Sequence, residues 1–121
     1  MKASFNVVGL ALVVTLDGEL DHLQVERLRG QIDAAYDKSP CKHIVFDMTH
    51  VSFMDSSGIG MIIGRYKNAE KRGGQVALAN MTDSIARLFE VSGLAKIALR
   101  AGSVKDALHA LKVDLGGKLY E

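Results

Sequence analysis

The hydrophobic positions of the chain recur with two different spacings. Short apolar runs, rich in β-branched residues and bounded by turn formers, predict strands at 5–8, 11–16, 43–47, 75–79 and 96–99. Apolar residues three and four positions apart predict helices that begin near Asp21, Asp55, Thr82 and Ser103. A hairpin followed by alternating helices and strands predicts an α/β fold. Its sheet would be mixed and mostly parallel, with about four helices packed against it.

Glycine and polar residues predict the connections between these elements. Residues 9–10 would join the two hairpin strands, and residues 18–21 would form a turn into the first helix. Asp21 is a favourable N-cap for that helix, with Gln24 as its capping-box partner. Residues 48–54 are predicted to form a loop before the second helix.

Length and composition indicate one globular domain. The chain has 121 residues, of which 48% are hydrophobic and 24% are charged. We place the domain at residues 3–112 and expect residues 113–121 to be a frayed tail. The net charge of +1 excludes a strong electrostatic field over the whole molecule, so we expect no direct nucleic-acid partner.

The cysteine count and the lack of long apolar runs indicate where in the cell the protein is located. Cys41 is the one cysteine, so the chain cannot form an internal disulfide, and a reducing environment is the simple interpretation. We find no signal-peptide pattern and no apolar run of membrane-spanning length in the sequence. We therefore expect a cytoplasmic protein that does not interact with a membrane.

The residues give little support to an enzyme. Gly58, Gly60 and Gly64 superficially resemble a dinucleotide fingerprint, but the strand predicted before them ends near Asp47, too far upstream. Asp47 lacks the acidic neighbours of a phospho-accepting aspartate, and no histidine and acid partners can be named for a nucleophilic Cys41. We expect no catalytic residue, no metal and no cofactor. An enzyme or a nucleotide-binding protein that uses the glycine-rich segment remains an alternative.

The segment at 52–60 carries the most specific chemistry. Serine is a favoured N-cap, so the residues alone favour a capping role for Ser56 and Ser57. Each of Gly58, Gly60 and Gly64 costs a helix about 1 kcal/mol relative to alanine, which indicates that something approaches this helix closely. A helix N-terminus also tolerates phosphate, so phosphorylation there would leave the fold intact. We place four basic residues on the outer face of the same helix: Arg65, Lys67, Lys71 and Arg72.

Three motifs resemble those of the STAS-domain anti-sigma factor antagonists. Residues 53–60, Phe-Met-Asp-Ser-Ser-Gly-Ile-Gly, resemble the family signature D-S-[ST]-G-[LI]-G, and residues 18–21 match G-E-[LI]-D. Residues 87–94 resemble R-L-F-x-x-[ST]-G-L. His22 and residues 64–67 place the chain closest to the sporulation type. The resemblance covers nearly the whole chain and implies a single STAS domain.

The resemblance implies a partner switch without catalysis by this chain. In the family, the unphosphorylated protein binds an anti-sigma factor that is also a serine kinase, and thereby frees the sigma factor. The kinase phosphorylates the serine directly after the motif aspartate, here Ser56, and the phosphoprotein dissociates. A phosphoserine phosphatase restores the starting form. We expect the free protein to be a monomer or a weak dimer.

The resemblance, together with the glycines, implies the partner surface. We assign six residues to it: Asp21, Asp55, Ser57, Gly58, Ile59 and Arg65. The acidic Asp17, Glu19, Asp21 and Glu26 would face a basic surface of the partner. The alternative within the family is a STAS partner-switch protein of another pathway, such as general stress, biofilm control or lipid transport.

Overall fold

A five-stranded sheet forms the centre of the computed structural model, which describes residues 2–115 and 118–119. Its strands are β1 (Lys2–Val8), β2 (Ala11–Leu20), β3 (His43–Met54), β4 (Val76–Ala79) and β5 (Ala98–Ala101). They lie side by side in chain order. β1 pairs with β2 in antiparallel fashion, and all other neighbours are parallel. The prediction of a mixed, mostly parallel sheet is confirmed.

Four helices follow the strands as predicted. They are α1 (His22–Asp37), α2 (Ser56–Lys71), α3 (Asp83–Val91) and α4 (Val104–Ala110). A short 3₁₀ turn, Leu94–Lys96, precedes β5, and two short antiparallel strands, β6 (Asp114–Leu115) and β7 (Lys118–Leu119), follow α4. No helix in the described part of the chain is long and apolar enough to cross a membrane.

The strand order explains how the helices are distributed. Right-handed crossovers between successive neighbouring strands all return over the same face, so α1, α2 and α3 share one side of the sheet. Strand residues such as Leu12 and Val14 pack with these helices, while Val13 and Val45 pack with α4 on the other side. Both faces of the central strands are thus buried, which accounts for their continuous apolar runs.

Two predicted connections are in fact strand. Residues 18–20 belong to β2, and residues 48–54 belong to β3, and the two segments pair with each other. Register shifts between Thr15 and Asp17 and between Gly18 and Glu19 interrupt the alternation. Because β4 pairs only with residues 44–47 of β3, the ends of β2 and β3 extend beyond it, and polar side chains there reach solvent. Because of these polar residues, the two segments lack the apolar pattern that predicts a strand.

Two smaller differences concern the end of the chain. The last strand of the sheet lies two residues later than predicted, because residues 94–96 form the 3₁₀ turn after Gly93, whose φ is +83°. Val113 is buried in the α4 cluster and its N–H donates to Leu108 O over 3.0 Å. The packed region therefore reaches Val113. The expected tail lies partly outside the described residues, and the domain boundary at 112 remains a prediction.

Candidate functional site

The ends of β2 and β3 bring the starts of two helices together. Leu20 and Met54 are partners in the parallel register, and the next residues, Asp21 and Asp55, are the N-caps of α1 and α2. The Asp21 carboxylate accepts a hydrogen bond from Gln24 N over 3.0 Å. The Asp55 carboxylate accepts one from Ser57 N over 2.8 Å. Two motifs that are distant in sequence thus form one surface at this edge.

The two serines do not cap α2. Asp55 supplies the capping oxygen, so the expectation drawn from the residues alone, that serine does so, is wrong. Ser56 is the first residue of the helix and is exposed, while Ser57 is half-buried. Neither hydroxyl makes a hydrogen bond within the described residues. Ser56 therefore presents a solvent-accessible hydroxyl at a helix N-terminus and has no structural role that the contacts reveal.

The glycines of α2 serve different purposes. A Cβ on Gly58 would lie 2.5 Å from Met54 Cγ and 3.3 Å from Leu20 Cβ, so the strand ends themselves need this glycine. The closest approach to Gly58 comes from the protein's own core, so internal packing accounts for this glycine, and its place on the partner surface stays a prediction. A Cβ on Gly60 or Gly64 would meet nothing within 4 Å. These two glycines leave open space beside the helix.

Gly60 and Gly64 border a groove between α1 and α2. Its volume is about 350 Å³, and Ser57 and Arg65 also line it from α2. The α1 side contributes charged side chains, among them that of Arg29. The groove begins at Ser57, the neighbour of Ser56 in the chain, and is therefore continuous with the surface at the helix starts.

Arg65 lies inside the protein rather than on an outer basic face. The residue is only 7% exposed, which corrects the predicted solvated position. Its Nε lies 2.9 Å from Asp33 Oδ1 in an ion pair, and the same oxygen accepts a hydrogen bond from Asn68 Nδ2 over 3.2 Å. Arg65 Nε and Nη1 are both buried, and neither makes a hydrogen bond in the described structure. Burial lowers the pKa of the Arg65 guanidinium, and Asp33 partly offsets that effect.

Arg72, two helical turns further along α2, shows the contrasting arrangement. Its Nη1 donates to Tyr36 O and Cys41 O over 3.2 and 2.8 Å, and its guanidinium lies 4.0 Å from the centre of the Tyr36 ring. These contacts tie α2 to the end of α1. The Nη1 of Arg72 thus has internal acceptors, whereas the Nη1 of Arg65 has none among the described residues.

The remaining predicted contact residues differ in exposure. Asp17, Glu19 and Glu26 are exposed and Asp21 is half-buried, whereas Ile59 is only 8% exposed. Two exposed apolar side chains near the same edge were not predicted: Leu23, 79% exposed, and Phe53, 46% exposed. Leu23 lies outside the apolar period of α1, and that mismatch was the available signal.

The other candidate chemistries have structural explanations. Asp47 accepts hydrogen bonds from Thr49 Oγ1 over 2.6 Å and from Asn80 Nδ2 over 3.1 Å. Burial alone would raise the pKa of Asp47, but these hydrogen bonds hold it below its usual value. Cys41 is fully buried. In residues 2–115 and 118–119, no cluster of histidine, cysteine and acidic side chains could hold a metal ion.

Comparisons with known proteins agree with the motifs. The family model of the STAS domain matches residues 2–110. The anti-sigma F factor antagonist of Paenibacillus polymyxa is 41% identical over 102 residues, which are 84% of this chain and 87% of that relative. The predicted resemblance is confirmed.

Two solved structures are also similar to this chain. The anti-sigma factor antagonist SpoIIAA in its unphosphorylated form is 30% identical, with a TM-score of 0.77 over 90% of this chain and 95% of that one. The Bacillus cell fate determinant SpoIIAA in its phosphorylated form is 30% identical, with a TM-score of 0.69 over 90% and 98%. The likeness therefore extends to a protein whose structure is known in both states.

Proposed function

This chain belongs to the STAS-domain family as an anti-sigma factor antagonist, and we propose that phosphorylation of Ser56 switches its binding to an anti-sigma factor off. The unphosphorylated form binds the anti-sigma factor and frees the sigma factor for transcription. The anti-sigma factor is also the kinase, and a separate phosphoserine phosphatase reverses the modification. The switch operates in the cytoplasm, where transcription takes place.

The position of Ser56 carries this proposal. Its hydroxyl is exposed at the first residue of α2 and makes no hydrogen bond within the described structure, so a kinase can reach it without opening the fold. Ser57 is half-buried in the groove and is the poorer acceptor. The helix dipole stabilises negative charge at this end, so the phosphorylated protein stays folded.

The charges around Ser56 explain how phosphorylation would weaken binding of the anti-sigma factor. A phosphate adds a charge of about −1.5 to −2 beside the capping carboxylates of Asp55 and Asp21. A kinase holds the phosphates of its nucleotide next to the hydroxyl that it modifies, because phosphoryl transfer depends on that positioning. The new phosphate therefore repels the phosphates of the nucleotide that faced the serine. A loss of about 2.8 kcal/mol weakens binding about a hundredfold, which suffices for a switch.

Three variants of the chain test the proposal against the purified anti-sigma factor kinase. Ser56→Ala keeps binding and abolishes phosphorylation, because only the acceptor oxygen is removed. Ser56→Asp binds more weakly than Ser56→Ala, because it places a charge at the same position. Ser57→Ala is the matched control for the site of modification and remains phosphorylated. Calorimetric titration measures the affinities, and circular dichroism confirms that each variant is folded. Retained phosphorylation of Ser56→Ala would overturn the assignment.

The similarity to an anti-sigma F factor antagonist supports a sporulation sigma factor as the regulated target. The test is selectivity. The chain should bind the anti-sigma factor of a sporulation sigma factor more tightly than that of a general-stress sigma factor, with both partners purified from the same organism. The reverse order would assign the chain to the stress pathway.

A further inference from the structure

We propose that the groove between α1 and α2 receives a carboxylate side chain of the anti-sigma factor, and that Arg65 binds this carboxylate. The inference rests on the proposed function and specifies the chemistry of one contact within it. Ser57 lines the groove and is the chain neighbour of the residue that the kinase must reach, so a bound kinase lies beside the groove.

The unpaired nitrogen of Arg65 provides the chemical argument. A buried donor without a partner costs about 1–3 kcal/mol, and more when the group is charged. Arg65 Nη1 is such a donor, since the contact with Asp33 at 2.9 Å lies on the Nε side of the guanidinium. Arg72, the C-cap of the same helix, donates to backbone carbonyls instead. A planar guanidinium with free donors matches a carboxylate.

The glycines provide the space. A helix that carries Gly60 and Gly64 loses about 1 kcal/mol at each position relative to alanine. Nothing in the packing of the described residues requires either glycine, because an added Cβ would contact no atom within 4 Å. Because these two glycines have no side chains, the groove beside Arg65 stays open. Gly58 differs, since internal packing explains it.

The charged side chains at the groove form two ion pairs, and the unpaired Nη1 of Arg65 is what favours an acidic occupant. Arg29 lies on the α1 side and is partly neutralised by Glu26 over 3.2 Å, at the exposed surface. Asp33 is half-buried and divides its Oδ1 between Arg65 and Asn68. An incoming carboxylate requires the Arg65 guanidinium to rotate, because Nη1 is shielded from solvent in the free protein.

The first experiment fills the groove. Gly64→Leu should weaken binding to the anti-sigma factor by about 30-fold, the loss typical of blocking a buried charge contact. Gly30→Leu is the matched control, because Gly30 is also a helical glycine with nothing within 4 Å of an added Cβ, but it does not line the groove. Both changes favour the helix, so a difference in affinity reports on the groove. Equal, undiminished binding by both variants would overturn the inference.

The second experiment tests the carboxylate. Each aspartate and glutamate on the kinase surface is changed to its amide, and each amide variant is titrated with wild type and with Arg65→Lys, which keeps the charge but loses the planar fork. One of these amide variants should bind the wild-type chain about tenfold more weakly than the unmodified kinase does. Its loss of affinity for Arg65→Lys should be far smaller. No coupled residue would contradict the carboxylate contact. Tight binding of inorganic phosphate or of a nucleotide to the free chain, lost in Gly64→Leu, would also contradict it.

The two proposals fail in different ways. If the wild-type chain does not bind any anti-sigma factor, the proposed function fails. If wild type binds and Gly64→Leu binds equally well, only the groove contact fails. Arg65→Lys also alters the ion pair with Asp33, so thermal unfolding is measured for every variant, and Gly64→Leu decides the outcome independently.

Discussion

Replacing Gly58 with alanine should destabilise the protein, whereas the same replacement at Gly60 should stabilise it. Both glycines lie in the first turns of α2, and each alanine gains about 1 kcal/mol of helix propensity. At Gly58 the new methyl would lie 2.5 Å from Met54 Cγ and 3.3 Å from Leu20 Cβ. Overpacking of this kind costs about 1–3 kcal/mol. At Gly60 no atom lies within 4 Å, so that cost is absent.

The predicted difference between the two variants is therefore about 1–3 kcal/mol in the free energy of unfolding, because the helix gain cancels between them. Urea denaturation followed by far-UV circular dichroism measures it, since the chain has no tryptophan for fluorescence. The denaturant slope should stay constant across the variants. In thermal unfolding, each 1 kcal/mol corresponds to roughly 4 °C for a domain of this size.

The result that would refute the reasoning is a Gly58→Ala variant at least as stable as the Gly60→Ala variant, with both folded. The contacts of Met54 and Leu20 would then not explain why residue 58 is glycine. The close approach of an external partner would then be the better explanation of the glycine at this position. Binding of the anti-sigma factor by the Gly58→Ala variant would be the next measurement in that case.

Two further predictions concern stability. Asp55→Ala removes the carboxylate that accepts from Ser57 N, so it should cost about 1 kcal/mol in urea denaturation, while Asp55→Asn, which still caps, should cost less. His43 is buried and accepts a hydrogen bond from Gln75 N at Nδ1, and its burial together with Lys42 lowers its pKa. As the pH falls, this histidine is therefore protonated in the unfolded chain before it is protonated in the folded protein. The free energy of unfolding should decrease as the pH drops below about 6.5, and the decrease should be smaller in His43→Asn. A pH-independent stability of the wild type across that range would contradict this.

The spacing of apolar residues predicted the helices and strands well wherever the buried positions have the same spacing. The hairpin around Gly9 and the start of α1 at Asp21 depend on local turn and capping chemistry, so the sequence contains the needed information. The end of β3 was missed because its exposed residues are polar and only the pairing with β2 makes it a strand. Long-range pairing leaves a weak local pattern when one face meets solvent.

The positions of the candidate site residues could be predicted only in part from the sequence. The motifs predict Ser56 and Asp21 as site residues, and the parallel register of β2 and β3 explains why they lie at one edge. The burial of Arg65 could not be predicted, since it depends on Asp33 of another helix. Nor could the difference between Gly58 and Gly60, because both are helical glycines and only the position of Met54 separates them.

Mass spectrometry of the chain after incubation with the anti-sigma factor kinase and ATP tests the central claim most directly. Intact masses count the phosphates, and peptide fragmentation locates them. We predict one phosphate on Ser56, absent when the kinase is omitted and absent from Ser56→Ala. A phosphate confined to Ser57, or an unmodified chain when the same kinase phosphorylates another antagonist, would contradict the claim.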